Sequence, residues 1–206
     1  IEAGLRSYNK KMPEEINRIV TDRLSEYLFT PSRNAIKNLL KEGIERKKIY
    51  FTGNIMIDTL RSFIMKSHSS HVLRKYRLKK KEFCLLTLHR PSNVDEKPVL
   101  EKIARAIRKI SGSTTVIFPV HPRTQLKIAE FHLSKYFTAP GIVMTEPIGY
   151  IETIALMSNA KLVITDSGGL QEETTYLRVP CLTLRENTER PVTVTLGTNT
   201  ITGTNT

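Results

Sequence analysis

Only two of the 206 residues are cysteine, Cys84 and Cys181. Both sit in apolar runs of strand character. This points to buried free thiols of a cytoplasmic protein and excludes a disulfide framework. No His/Cys cluster has the spacing of a zinc site, so no metal is expected. No apolar run approaches the roughly 20 residues needed to cross a bilayer, and no membrane partner is expected. The chain opens at Ile1 with neither Met nor a charged leader, so no signal-peptide pattern is seen. Aromatics are scarce, at 7%, and no RNA- or DNA-binding motif is present. The net charge of +12 raises nucleic acid as a partner. Its densest basic stretch, Arg74-Lys75-Tyr76-Arg77-Leu78-Lys79-Lys80-Lys81, reads instead as a solvated helix end, so nucleic acid is not expected. A basic excess also suits a polyanionic small molecule such as a nucleotide diphosphate. Repeats and low-complexity tracts are absent.

What is present is an alternation of strand and helix. Strands are read at 27–30, 49–52, 83–88, 114–119, 142–145, 162–165 and 181–184, and residues 1–3 look like the end of another. Helical patterns begin at Pro13 and after Pro31-Ser32, then cover 55–66, 97–110, 124–133, 151–158 and 170–177. The tail from Gly197 is polar and lacks helical periodicity. Strands separated by helices indicate βαβ units, an α/β class and parallel sheets. Right-handed crossovers put the strand C-termini on one edge, where ligands bind. A break at Gly53-Asn54 divides the chain into 1–53, the end of a first Rossmann-like domain with about three strands, and 54–206, a second.

Polar motifs recur at that edge. His89-Arg90-Pro91-Ser92-Asn93 follows a strand. Its Arg can fork onto a diphosphate and its His can donate a hydrogen bond or move a proton, or the loop merely caps the next helix. His121-Pro122-Arg123 follows the next strand in the same way, as a ligand contact or as a Pro-initiated helix start. In Asp166-Ser167-Gly168-Gly169 the glycines permit close backbone approach, and the free N–H groups of the helix start can cradle a phosphate. A single N-cap would not need two glycines. Adjacent residues on that helix point about 100° apart. One of Glu172 and Glu173 can therefore reach the sugar of a nucleotide while the other faces solvent or pairs elsewhere. Thr188-Glu189-Arg190-Pro191 reads as a fourth edge loop. Glu2 and Glu14 are candidates for an acid/base pair, although acids at a helix start are also favoured by its dipole.

Taken together, Glu2-Ala-Gly-Leu-Arg6, Pro13-Glu-Glu-Ile-Asn-Arg18, Gly53-Asn54 with Asp58, His89-Arg90, His121-Pro122, Asp166-Ser-Gly-Gly169 with Gln171-Glu-Glu173, and Thr188-Glu-Arg-Pro191 resemble the non-hydrolysing UDP-N-acetylglucosamine 2-epimerases. The resemblance implies a two-domain, glycosyltransferase-B-like fold with the site in the cleft. It implies interconversion of UDP-GlcNAc and UDP-ManNAc through C2 proton abstraction, UDP elimination and re-addition, with no NAD or metal cofactor. It implies catalytic roles for Glu2, Glu14 and His89. Ser167, Gly168 and Gly169 would bind phosphate, Glu173 the ribose, and Arg190 the nucleotide. Arg90 and His121 match positions that lie near a second, regulatory UDP-GlcNAc in bacterial members, and a homodimer is expected of the full-length form.

Pro91, Ser92 and Val192 depart from the family's usual residues. They motivate an alternative substrate, such as a UDP-2,3-diacetamido uronate. Most of the family's N-terminal domain, with a Gly-Thr-Arg-Pro-type phosphate loop and an implicated Asp, falls outside the chain, as do its C-terminal helices. A fragment is expected, inactive alone but able to bind UDP weakly.

Overall fold

The computed structural model describes residues 1–10 and 12–203. In chain order its elements are α1 (Pro13–Leu24), β1 (Leu28–Thr30), α2 (Arg33–Lys41), β2 (Ile49–Phe51), α3 (Ile55–His68), α4 (Val72–Lys75), β3 (Phe83–Thr87), α5 (Pro91–Val94), α6 (Lys97–Ser111) and β4 (Thr115–Pro119). They continue with α7 (Pro122–Glu130), α8 (Ser134–Phe137), β5 (Ile142–Thr145), α9 (Tyr150–Asn159), β6 (Leu162–Thr165), α10 (Gly168–Leu177), β7 (Cys181–Thr183), α11 (Val192–Thr195) and β8 (Asn199–Ile201).

Every strand pairing among the described residues is parallel. The larger sheet has six strands in the order β5-β4-β3-β6-β7-β8. Its central strand shows why a continuous apolar run was needed. Cys84 and Leu86 of β3 enter one core cluster, with α6, α7 and α8. Phe83 and Leu85 enter the cluster on the other face, with α9. Alternate residues of a strand face opposite ways, so a strand covered by helices on both sides must be apolar throughout. Phe118 and Phe137, both fully buried, meet in the first cluster with ring centroids 5.7 Å apart.

From β3 the chain steps outward to β4 and β5, then returns to the opposite side of β3 as β6. The loops after β3 and β6 therefore leave in opposite directions. They open a crevice at the point where the strand order reverses. His89-Arg90 sits on one lip and Asp166-Ser167 on the other.

Two expectations need correcting. Residues 1–3 are not a strand. Ala3 N–H donates to Phe29 O at 3.0 Å, but the chain then turns at Gly4, whose φ of +80° suits glycine. A Cβ there would lie 2.4 Å from Ala35 O, so helix α2 itself forbids a side chain. The smaller sheet consequently has two strands among the described residues, β1 and β2, and not three. The polar tail, in which no strand was read, contributes β8 to the larger sheet. Asn199 is buried, and its side chain accepts from Thr183 Oγ1 at 2.6 Å and donates to Gln171 Oε1 at 3.2 Å, which lets a polar segment pair as β8. Residues 204–206 lie outside the described residues. No helix is long and apolar enough to cross a membrane among the described residues. Both cysteines are free and buried.

Candidate active site

The first lip is pinned by one carboxylate. Asp166 is fully buried and accepts from His89 N–H at 3.0 Å, Arg90 N–H at 2.8 Å and Asn93 Nδ2 at 3.2 Å. His89 Nδ1 lies 2.8 Å from Asp166 Oδ1. Burial pushes the Asp166 carboxyl up, but the His89 bond and charge, with the two amide bonds, outweigh burial and hold it below the usual carboxylate value. A carboxylate on Nδ1 fixes the ring and leaves Nε2 for a ligand.

His89 and His121 face each other, with ring centroids 5.9 Å apart. His121 Nδ1 accepts from Arg123 N–H at 3.2 Å, so the residue caps α7 as well as standing at the edge. Both rings line a cavity of about 280 Å³, together with Ser167 and Leu170 of the α10 start and Pro147 and Ile148 before α9. The cavity is mostly apolar with a few polar side chains, the usual make-up of a small-molecule pocket. Ser167 makes no side-chain cap to α10, so the first-turn amides are not spent on it.

Protein side chains pack against both glycines. A Cβ on Gly168 would lie 2.4 Å from Glu189 Oε1 and 3.3 Å from Arg190 Nε. A Cβ on Gly169 would lie 2.7 Å from Met56 Cε. Close approach is thus required by protein side chains packed against the turn.

Of the two helical acids, Glu172 does not face solvent. It is buried and accepts from Arg190 Nη1. Glu173 is 3% exposed and accepts from Tyr150 Oη at 2.7 Å. Burial raises the Glu173 carboxyl. The 188–191 loop, too, is more than a surface ion pair, because Glu189 and Arg190 are both buried.

The two N-terminal carboxylates meet arginines of the larger sheet. Glu14 Oε1 lies 2.7 Å from Arg90 Nη1, and Glu2 Oε1 lies 3.3 Å from Arg190 Nη2. Glu2 takes a positive φ of 57°, a strained conformation for a non-glycine residue and one that clusters at functional sites. Glu15 has a different task from Glu14. It is buried and accepts from Ser7 N–H and Tyr8 N–H, each at 2.9 Å, which shapes the loop before α1. Arg6 is likewise architectural, at 2.7 Å from both Asp22 Oδ2 and Glu42 Oε1.

Sequence reasoning named Asn93 and Glu189 only as members of edge loops, and it missed Tyr150 and the pairing of Arg185 with Glu189 at 2.8 Å. Only the last had a signal, a charge pair spaced four apart within a polar loop.

The UDP-N-acetylglucosamine 2-epimerase family model matches residues 1–206. A UDP-N-acetylglucosamine 2-epimerase of Methanococcus maripaludis is 46% identical over 98% of this chain and 57% of its own length. A UDP-2,3-diacetamido-2,3-dideoxy-D-glucuronate 2-epimerase of Pseudomonas aeruginosa is 42% identical over 98% of this chain and 56% of its own. The crystal structure of the Methanocaldococcus jannaschii UDP-GlcNAc 2-epimerase, in complex with UDP-GlcNAc and UDP, superposes with a TM-score of 0.93 at 44% identity, covering 100% of this chain and 58% of that one. The parallel α/β fold of glycosyltransferase-B type expected above is the one these enzymes share. The chain belongs to the UDP-N-acetylglucosamine 2-epimerase family, of whose first-named member it spans 57% of the length.

Proposed function

We propose that the protein containing this chain interconverts UDP-GlcNAc and UDP-ManNAc. A carboxylate removes the C2 proton, the C1–O bond breaks and UDP departs, leaving a C1=C2 double bond in a bound 2-acetamidoglucal. Protonation of C2 on the other face and return of UDP to C1 complete the inversion. Glu2 and Glu14 handle the C2 proton. His89, oriented by Asp166, steadies the departing diphosphate. Ser167, Gly168 and Gly169 bind its phosphates, Glu173 the ribose, and Arg190 holds Glu2 beside the nucleotide.

The observation that carries this reading is the cavity at the strand-order reversal, which His89, His121 and the uncapped α10 start line together. Residues 54–206 form the UDP-binding domain and 1–53 the end of the other. A homodimer, a cytoplasmic setting and a regulatory UDP-GlcNAc near Arg90 and His121 belong to the same proposal.

The full-length protein incubated with UDP-GlcNAc in deuterium oxide is expected to place deuterium at C2. Epimerised product without C2 exchange would sink the mechanism. The 206-residue chain alone is expected to bind UDP in calorimetry without turnover, and robust turnover by it would refute the division of the site. A second reading rests on Pro91 and Ser92 beside the site and on the 42% identity to the diacetamido-uronate enzyme. A substrate panel with both UDP-sugars separates the two.

A further inference from the structure

Glu173 has one oxygen bonded and one open. Tyr150 Oη donates to Oε1 at 2.7 Å, and no other donor reaches the carboxylate among the described residues. The phenol is itself held in place. Tyr150 is the first residue of α9, and its ring meets Phe63 of α3 edge-on, with centroids 5.9 Å apart and planes at 82°. Three helices, α3, α9 and α10, thus fix one hydrogen bond. Ile148, two residues before Tyr150, and Leu170, one turn before Glu173, both line the cavity.

A buried carboxylate on a helix keeps several rotamers unless a donor selects one. A phenol that donates to one oxygen does two things. It selects the rotamer, and it occupies one oxygen, which leaves the other as an acceptor for hydroxyls. We propose that Tyr150 is the positioning residue for recognition of the ribose, aligning Glu173 so that its free oxygen accepts from the sugar hydroxyls of the nucleotide. The inference rests on the ribose role proposed above for Glu173. Burial and the adjacent Glu173 push the Tyr150 phenol far above its ordinary value, which keeps it a donor near neutral pH.

The test is calorimetry of the chain and its Tyr150→Phe variant with UDP and with 2′,3′-dideoxy-UDP. Phe keeps the ring on Phe63 and removes only the hydroxyl. The wild type is expected to prefer UDP. The variant is expected to bind UDP about tenfold more weakly, equivalent to about 1.4 kcal/mol, and to bind the dideoxy nucleotide unchanged. Equal weakening toward both nucleotides would mean a merely structural role and overturn the inference. So would a variant that keeps the full preference for UDP. A wild type that does not distinguish the two nucleotides would instead remove the ribose role of Glu173, and the inference with it. Tyr150→Phe leaves the assignment of the phosphates to α10 untouched, so failure here and failure of the proposed function are separable.

Discussion

Asp166→Ala is expected to lower the melting temperature by roughly 10 °C and to abolish measurable UDP binding. The physical reason is the number of donors that depend on one carboxylate. Two backbone amides, the Asn93 amide and the His89 ring all point at Asp166, which has no exposed surface. Alanine leaves these donors without their acceptor. Removing one partner of a buried charged network costs about 3–5 kcal/mol. Each kcal/mol shifts the melting temperature of a chain of this size by about 2–4 °C. Binding suffers separately, because the loop that carries His89 and Arg90 loses its anchor to β6.

Asp166→Asn keeps the shape but turns one acceptor into a donor facing amides, and an intermediate loss is expected. The pH dependence follows from the depressed carboxyl. A group held below its ordinary value contributes stability that is fully present above the usual carboxylate range and is lost as pH falls through its folded value. Thermal unfolding followed by circular dichroism decides the matter. A loss under 2 °C for the alanine variant would show that other acceptors take over, a result the geometry does not allow.

The same carboxylate shows how far the sequence could be read. Strand–helix alternation located β3, β4, β5, β6 and β7 to within a residue or so, because buried parallel strands are continuous apolar runs bounded by turn residues. β8 was invisible because Asn199 enters the sheet through side-chain hydrogen bonds that include Thr183 and Gln171, 16 and 28 positions away. The candidate site was legible as a set of motifs on one edge. What each residue does there was legible only in part. Asp166 reads as a helix cap or part of an anion turn, yet its partners come from the loop 73 to 77 residues earlier. Gly168 and Gly169 read as room for a ligand, yet much of that room holds Glu189, Arg190 and Met56. Glu172 and Glu173 had to differ by helix geometry, but which was paired and with what depended on Arg190 and Tyr150. These are long-range choices, and no local pattern encodes them.

Glu189→Gln is expected to have the second large effect, and its sign with pH makes it diagnostic. Glu189 is 2% exposed and lies 2.8 Å from Arg185 Nη2. Its other oxygen is 3.7 Å from Arg18 of α1, so it ties the N-terminal helix to the loop after β7. Burial alone would raise this carboxyl. The Arg185 bond and charge, its own backbone amide and the Arg18 charge reverse that and bring it down to about 2, from an ordinary 4.5. That gap corresponds to about 3 kcal/mol of stability. Because the folded value is the lower one, the contribution is complete above about pH 4.5 and is lost as pH falls to about 2.

Glutamine removes the charge and leaves Arg185 a buried cation. Its side chain is 6% exposed, and its Nη1 already lacks a partner. The expected loss near neutral pH is about 3–5 kcal/mol, and the variant's stability should be flatter between pH 4.5 and 2 than the wild type's. Should Gln unfold the chain outright, Arg185→Met combined with Glu189→Gln supplies the second measurement. The double variant is expected to be more stable than Glu189→Gln alone, since the orphaned cation has gone. A double variant no better than the single one would mean that the cost comes from the lost charge contact with Arg18 of α1 and not from the orphaned Arg185.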